Sequence, residues 1–336
     1  MTREAMLYQP LSDGAVRCDL CNHHCRIEPD DTGFCGVRQN KSGTLYSRVY
    51  GKTIARNTDP VEKKPLYHFL PGSRAFSIGT VGCNFHCGFC QNWQISQFSP
   101  TGGDAWPGMD LLPDAVVAQA REGDCASIAY TYTEPTIFFE YAHDTAEMAH
   151  AEGIRNLFVT NGFMTEAALD RIAPYLDAAN VDLKSWSNDY YREVCKGRLA
   201  PVTRSIRHLV DLGIWVEVTT LLIPGDNDGV SEMEGIAGFL AEVDPNIPWH
   251  LSAFHPAHEY GDRSATPIET LERARDIGRK AGLRYIYLGN VGAPSDTVCP
   301  DCGETLVERR GMGGGRAYLA DGACPGCGAV IPGRWG

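Results

Sequence analysis

Cys83-Asn84-Phe85-His86-Cys87-Gly88-Phe89-Cys90 places three cysteines in eight residues, with gaps of three and two. Just upstream, Ala75-Phe76-Ser77-Ile78-Gly79-Thr80 reads as a short apolar strand, so the cysteines sit on the loop that leaves it. Three thiolates on one loop do not complete a tetrahedral zinc site. They can hold three irons of a 4Fe–4S cluster and leave the fourth iron open to a small-molecule ligand. The competing reading is a zinc site whose fourth ligand lies elsewhere in the chain.

Outward from this loop, strand-like and helical patterns alternate from about residue 74 to 290. Strands are expected at 75–80, 126–131, 154–160, 179–184, 214–221, 248–254 and 284–288. Helices are expected near 110–122, 135–152, 165–179, 201–212, 230–242 and 267–281, several ending at a glycine (Gly153, Gly213, Gly282). Repeated β-then-α units predict an α/β fold with a parallel sheet and right-handed crossovers, curled into a full or partial (β/α) barrel. Reactive residues of such a barrel collect at the carboxyl ends of its strands, and the cysteine loop leaves the first of these.

The other strand ends carry polar residues. Thr131-Tyr132-Thr133-Glu134-Pro135-Thr136 follows the second strand, with Glu134 placed to receive a ligand amino group. Thr160-Asn161-Gly162 follows the third, where the glycine is expected to let backbone approach the ligand. Val181-Asp182-Leu183-Lys184 ends the fourth, and alternation directs Asp182 and Lys184 to one face. His250 and Ser252 share a face of the sixth strand, with His255 at the mouth. Each residue alone could be a loop cap or a satisfied core residue; together they mark one rim. His86 is expected only to fill the loop, and Cys125 to be a buried small hydrophobe. Cys195, beside Lys196, is a candidate reactive thiol.

Composition sets the bounds. The chain has 336 residues, 43% hydrophobic and 21% charged, enough for a large core, and a formal charge of −12 that argues against binding nucleic acid over its whole surface, though not against a local basic groove. The start lacks the apolar core of a signal peptide, and no uncharged run approaches membrane-spanning length. Eleven of the thirteen cysteines fall in three groups, which points to metal ligation in a reducing cytoplasm rather than to disulfides.

Three segments are expected: a Cys-rich N-terminal region (1–70), the partial barrel (71–292) and a C-terminal ribbon (293–336). In the first, Cys18, Cys21, Cys25 and Cys35 suit a metal-stapled loop. Zinc is the preferred occupant and an auxiliary iron–sulfur cluster the alternative, with His23 and His24 as possible substitute ligands. Thr44–Tyr50 and Lys52–Ala55 read as strands around Gly51, and Asp59–Pro65 as an extended linker. In the last segment, Cys299-Pro300-Asp301-Cys302-Gly303 and Cys324-Pro325-Gly326-Cys327-Gly328 are paired knuckles of a structural zinc ribbon. Between them, Gly311-Met312-Gly313-Gly314-Gly315 reads as a hairpin tip.

The cysteine spacing, with Phe89 before the last cysteine, resembles the signature of the radical S-adenosylmethionine (SAM) superfamily. The chain as a whole resembles the radical SAM enzymes of the AmmeMemoRadiSam system, relatives of pyruvate formate-lyase activating enzyme. The likeness runs through the N-terminal cysteines, Asp59–Gly72, the cluster loop to Trp93, Tyr132–Thr136, Thr160–Gly162, Asp182–Lys184 and the terminal ribbon. It implies a partial barrel of the radical SAM type, a 4Fe–4S cluster on Cys83, Cys87 and Cys90, and SAM chelating the open iron. The implied reaction is reductive cleavage of SAM to methionine and a 5′-deoxyadenosyl radical that abstracts hydrogen from a substrate. Glu134, Asn161, Asp182 and Lys184 would bind the cofactor. A flavodoxin- or ferredoxin-like electron donor, and a protein substrate or Memo-like partner, are likewise implied. One departure stands out: the superfamily often has Gly-Gly-Glu-Pro where this chain has Tyr132-Thr133-Glu134-Pro135. A different class of function, a non-catalytic iron–sulfur redox sensor or binding protein, would suit a loop with four cysteines rather than three.

Overall fold

The computed structural model describes residues 2–98, 106–292, 295–309 and 315–336. Its centre is one eight-stranded sheet: β1 (Ala55–Pro60), β2 (Arg74–Gly79), β3 (Ser127–Tyr130), β4 (Arg155–Thr160), β5 (Ala178–Asp182), β6 (Trp215–Leu222), β7 (Trp249–Ala253) and β8 (Ile286–Gly289). Strand order follows chain order from edge to edge. Strands β2 to β8 are parallel, and β1 runs antiparallel on the outer side of β2. All four residues of β3 are buried, as expected where helices cover one face and side chains fill the other.

The crossover helices form where the apolar spacing is helical. Leu199–Asp211 buries Val202, Ile206 and Leu209, three, four and seven residues apart. Glu166–Ile172 starts with Thr165 accepting from Ala168 N–H. It is shorter than the 165–179 the sequence suggests: Ala173 keeps a helical conformation, but Pro174 has no N–H to donate to the Asp170 carbonyl, and the chain turns and enters β5 at Ala178.

The sheet curls. Seven flat strand spacings would hold its edges about 34 Å apart, yet Lys64, just after β1, and Asn290, just after β8, line one cavity. The Tyr67 and Tyr287 rings also pack at 4.7 Å. This is the partial barrel expected from the sequence. The segment expected to be a linker is different: its first two residues complete β1, which pairs with β2 along its whole length, and Val61–Lys63 is a 3₁₀ turn. Pro60 is tolerated because it ends an edge strand. The strands around Gly51 exist but do not pair with each other. Thr44–Ser47 pairs with Arg38–Lys41 and Arg3–Glu4, and Lys52–Thr53 pairs with Met109–Asp110. Most of the glycine-rich tip, 311–314, lies outside the described residues.

A buried carboxylate closes the amino end of the barrel. Glu217, on β6, accepts from the backbone N–H of Tyr67 (2.9 Å) and His68 (2.7 Å), from Trp215 Nε1 (3.0 Å), and bonds His250 Nε2 (2.6 Å). His250 is therefore committed to the core rather than to the rim. The C-terminal ribbon packs beside this plug. Arg309 donates to the Tyr67 carbonyl (2.6 Å), and Tyr285, Tyr287, Leu306, Val307 and Ile331 share one apolar cluster. Among the described residues, no helix is long and apolar enough to cross a membrane.

Glu217→Ala leaves two backbone N–H groups and the indole N–H without an acceptor in a dry interior. The expected loss is about 3–5 kcal/mol of unfolding free energy in urea titration. A midpoint and slope equal to wild type would show that Glu217 does not close the barrel.

Candidate functional site

The carboxyl ends of the strands enclose a cavity of about 400 Å³, within the range of small-molecule sites. Cys83, Cys87 and Cys90 line it, together with Glu134, Asn161, Asp182 and Lys184. The structure thus brings together the three loop cysteines and the four residues expected to bind the cofactor.

The cysteine loop is held by its own backbone and by the short helix that follows. Phe85 N–H points at Cys83 Sγ (3.3 Å), Cys90 N–H bonds the Cys87 carbonyl (3.1 Å), and Gln97 Nε2 donates to that same carbonyl (2.9 Å). Ser96 Oγ lies 3.3 Å from Cys90 Sγ. His86 stacks on Phe34 with centroids 4.4 Å apart, so it fills the loop as expected. Among the described residues, the ribbon cysteines are the one group of three or more ligand atoms gathered for a single metal ion, and these thiols are not in it. A three-thiol set beside an open cavity fits a cluster with a free iron.

Glu134 is 1% exposed and heavily engaged. Its Oε1 accepts from Thr136 N–H (3.1 Å), Thr136 Oγ1 (2.5 Å) and Thr160 Oγ1 (2.7 Å); its Oε2 accepts from Asn161 N–H (2.8 Å). Burial raises its pKa, against the lowering effect of these donors. Asn161 in turn donates to Asn84 Oδ1 (2.7 Å) and lies 3.9 Å from Cys83 Sγ. The carboxylate therefore fixes the rim from inside, and only Oε2 has a lone pair to spare for the cavity.

On the opposite wall, Lys184 Nζ bonds Asp182 Oδ2 (3.0 Å) and lies 5.7 Å from the Phe89 ring centre. Burial alone would push its pKa down, but Asp182 and the Cys87 and Cys195 thiols raise it well above the usual lysine range. The ammonium stays charged beside the cysteine loop.

Several sequence expectations change. Gly162 does not line the cavity; its φ of +70° closes a turn, and a Cβ there would meet Val181 Cγ1 at 2.8 Å. Cys195 is buried at the end of a π-helical turn, Tyr191–Cys195, where burial and its hydrogen bond to Cys87 raise its pKa well above the usual thiol range. It supports the cysteine loop rather than offering a reactive thiol. His255 is exposed and outside the cavity, whereas Ser252 lines it. Lys64, Asn92 and Asn290 also line it and were missed. Lys64 arrives through β1, read as a linker, and Asn290 lies past the end of the expected last strand.

The ribbon is geometrically distinct. Cys299 and Cys327 have Sγ atoms 3.7 Å apart, Cys302 and Cys324 3.6 Å, and all four lie within 4.8 Å of one another. Metal–sulfur bonds of 2.3 Å at tetrahedral angles give about 3.8 Å. This quartet can hold one metal ion.

A sequence profile of the radical SAM superfamily matches residues 77–240. An uncharacterised protein of Methanocaldococcus jannaschii is 43% identical over 310 residues, 91% of either chain. A second protein of that organism, named provisionally as a glycyl-radical enzyme activating enzyme, is 23% identical over 228 residues, 67% of this chain and 82% of its own. Among solved structures, a radical SAM methyltransferase from Sphaerobacter thermophilus aligns with a TM-score of 0.51 at 20% identity, over 70% of this chain and 71% of that one, a likeness of fold.

Glu134→Gln keeps the size of the side chain but turns one acceptor into a donor facing Asn161 N–H or the two threonines. The expected cost is about 1–3 kcal/mol of unfolding free energy, with faster amide exchange at Asn161. Wild-type exchange at that amide would show that Glu134 does not hold the rim.

Proposed function

Because this chain belongs to the radical SAM superfamily, we propose that it is a radical SAM enzyme whose cluster is held by Cys83, Cys87 and Cys90, and that its hydrogen-donating substrate is a protein. The observation that carries the first part is a set of three thiols from one loop on the wall of a 400 Å³ cavity. When bound, a 4Fe–4S cluster and SAM supply a one-electron cleavage of a carbon–sulfur bond, and with it a carbon radical for hydrogen abstraction.

The chain's own residues then bind, orient and shield. Cys83, Cys87 and Cys90 would hold three irons of such a cluster and leave the fourth open to SAM. Lys184, charged and tethered by Asp182, offers a cation to the carboxylate of SAM. Glu134 Oε2 and the backbone carbonyls beside Tyr132 offer acceptors to its ammonium group. Asn161 holds the cysteine loop and the rim at one separation through Asn84. Phe85 and Phe89 wall the cavity with apolar surface and keep water from the reacting atoms.

A protein substrate is supported by the 23% identical relative named as an activating enzyme and by the motifs shared with the AmmeMemoRadiSam group. A flavodoxin- or ferredoxin-type donor supplies the electron, and a Memo-like protein is the partner that group implies. The ribbon quartet holds zinc in a structural role, since four thiolates leave no open position. A purely redox-sensing role is disfavoured by the same three-thiol set, because a sensor has no need of an open iron beside a cavity.

Two measurements test this reading. Anaerobically reconstituted protein, reduced with dithionite in the presence of SAM, is expected to release 5′-deoxyadenosine, and Cys87→Ser to abolish the product. Lys184→Met should keep the product but weaken SAM binding about tenfold or more, the equivalent of one charge-assisted hydrogen bond. A full cluster with no 5′-deoxyadenosine would sink the enzyme reading. Separately, the Cys302→Ser, Cys327→Ser double variant should lose about one zinc per chain with its iron unchanged.

A further inference from the structure

The N-terminal cysteines remain without a role in this scheme. Cys18 ends a short strand, Cys21 bridges to Met164, Cys25 precedes the strand Arg26–Ile27, and Cys35 lies in the turn before Arg38–Lys41. All four line one pocket, with Ile27 and Arg38. We propose that Cys18, Cys21, Cys25 and Cys35 hold a second 4Fe–4S cluster.

The first argument is spacing. The ribbon shows how this chain arranges four thiols for one ion: every Sγ within 4.8 Å of the others. Among the described residues, no other group of three or more ligand atoms is gathered for one ion, although all four N-terminal cysteines are described. They line one pocket instead. In this they match Cys83, Cys87 and Cys90, which line the main cavity, rather than the ribbon. Thiolates bound to different irons of a cubane stand farther apart than thiolates on a single ion, so four thiols around a pocket fit the cluster. This favours the alternative read from the sequence, an auxiliary cluster, over zinc.

The second argument is independent of the thiols. Arg38 is 2% exposed, and its guanidinium bonds Glu140 Oε1 and Oε2 (2.9 and 3.0 Å) and the Met6 carbonyl (2.7 Å). Its Nε–H, on the side chain that lines the pocket, has no acceptor. A buried guanidinium N–H without a partner is costly, and sulfide or thiolate sulfur of an anionic cluster would satisfy it. The histidines are not needed as ligands. His23 Nε2 is bonded to the Asn84 carbonyl (2.7 Å), and His24 Nδ1 to Asp19 (2.9 Å) at the surface.

Position adds a role. The pocket is also lined by Thr136 and Ile137, the turn that follows Glu134, and His23 links it to the residue after Cys83. Four thiolates leave no open iron, so the chemistry available is outer-sphere transfer of single electrons. A ferredoxin- or flavodoxin-class donor loses one electron to this cluster, which passes one electron on to the cluster of the main cavity.

The test uses the full-length chain, reconstituted anaerobically with ferrous iron and sulfide, with iron, sulfide and zinc counted and reduced samples examined by electron paramagnetic resonance. Wild type should hold about eight irons. The Cys83→Ala, Cys87→Ala, Cys90→Ala triple variant should keep about four, with a cluster signal that SAM does not alter. The Cys18→Ser, Cys21→Ser variant should also fall to about four, with a signal that SAM does alter. Each variant decides independently if the other fails to fold. A triple variant with no iron and about two zincs per chain would overturn the proposal while leaving the main site intact. A wild-type count of about four irons that persists in the triple variant would support this site and sink the reading of the main one.

Discussion

The cavity depends on one buried carboxylate. Glu134 collects four hydrogen bonds from two threonines and the Asn161 backbone, and through them it pins the turn after β3 to the end of β4. Asn161, so fixed, holds Asn84 and with it the cysteine loop. Three segments distant in sequence are thereby registered on one group that could not be buried without its donors. A charge in this position serves first as a fastener, and what remains of its acceptor capacity faces the cavity.

Three cysteine sets in one chain show that ligand count and ligand spread carry different information. The ribbon and the N-terminal group both have four cysteines, and by count alone both suit zinc. Their side-chain geometry separates them. The ribbon's two knuckles superimpose the same backbone turn, Gly303 N–H to the Cys299 carbonyl and Gly328 N–H to the Cys324 carbonyl, both at 2.9 Å, and bring four sulfurs to one point. The N-terminal cysteines come from a strand end, a bridge, the residue before a strand and a turn, with no such repeat, and they line a pocket instead.

Much of this was legible in the sequence. The seven parallel strands and the rim residues follow from apolar periodicity and from the rule that barrel chemistry sits at strand ends. What the sequence hid depends on contacts between distant residues. Ala55–Pro60 lacks the apolar alternation of a strand because it is an edge strand with exposed Arg56 and Asn57, so only its pairing with β2 reveals it. His250 and Ser252 share a face, and no local pattern tells which of them sits beside Glu217 and which reaches the cavity. Gly162 looked like room for a ligand, but the space it leaves is taken by Val181.

The departure from Gly-Gly at Tyr132-Thr133 has a physical resolution. Thr133 N–H bonds the Thr131 carbonyl at 2.8 Å across Tyr132, whose φ is +66°, a tight turn that glycine enters freely and tyrosine enters at a cost of about 1–2 kcal/mol. The turn is kept by contacts on all sides: Asn92 Nδ2 donates to the Tyr132 carbonyl (2.7 Å), Thr133 Oγ1 donates to the Thr80 carbonyl (2.9 Å), and Lys64 Nζ lies 5.4 Å from the Tyr132 ring centre. The space comes from the neighbouring strand. A Cβ on Gly79 would stand 2.5 Å from the Thr131 carbonyl and 3.0 Å from Tyr132 Cβ. The absent side chain has moved from the turn to the strand beside it, so the backbone holds the tight turn while the ring of Tyr132 becomes part of the cavity wall. Strain is thus stored on the wall of the cavity, over-determined by the groups around it.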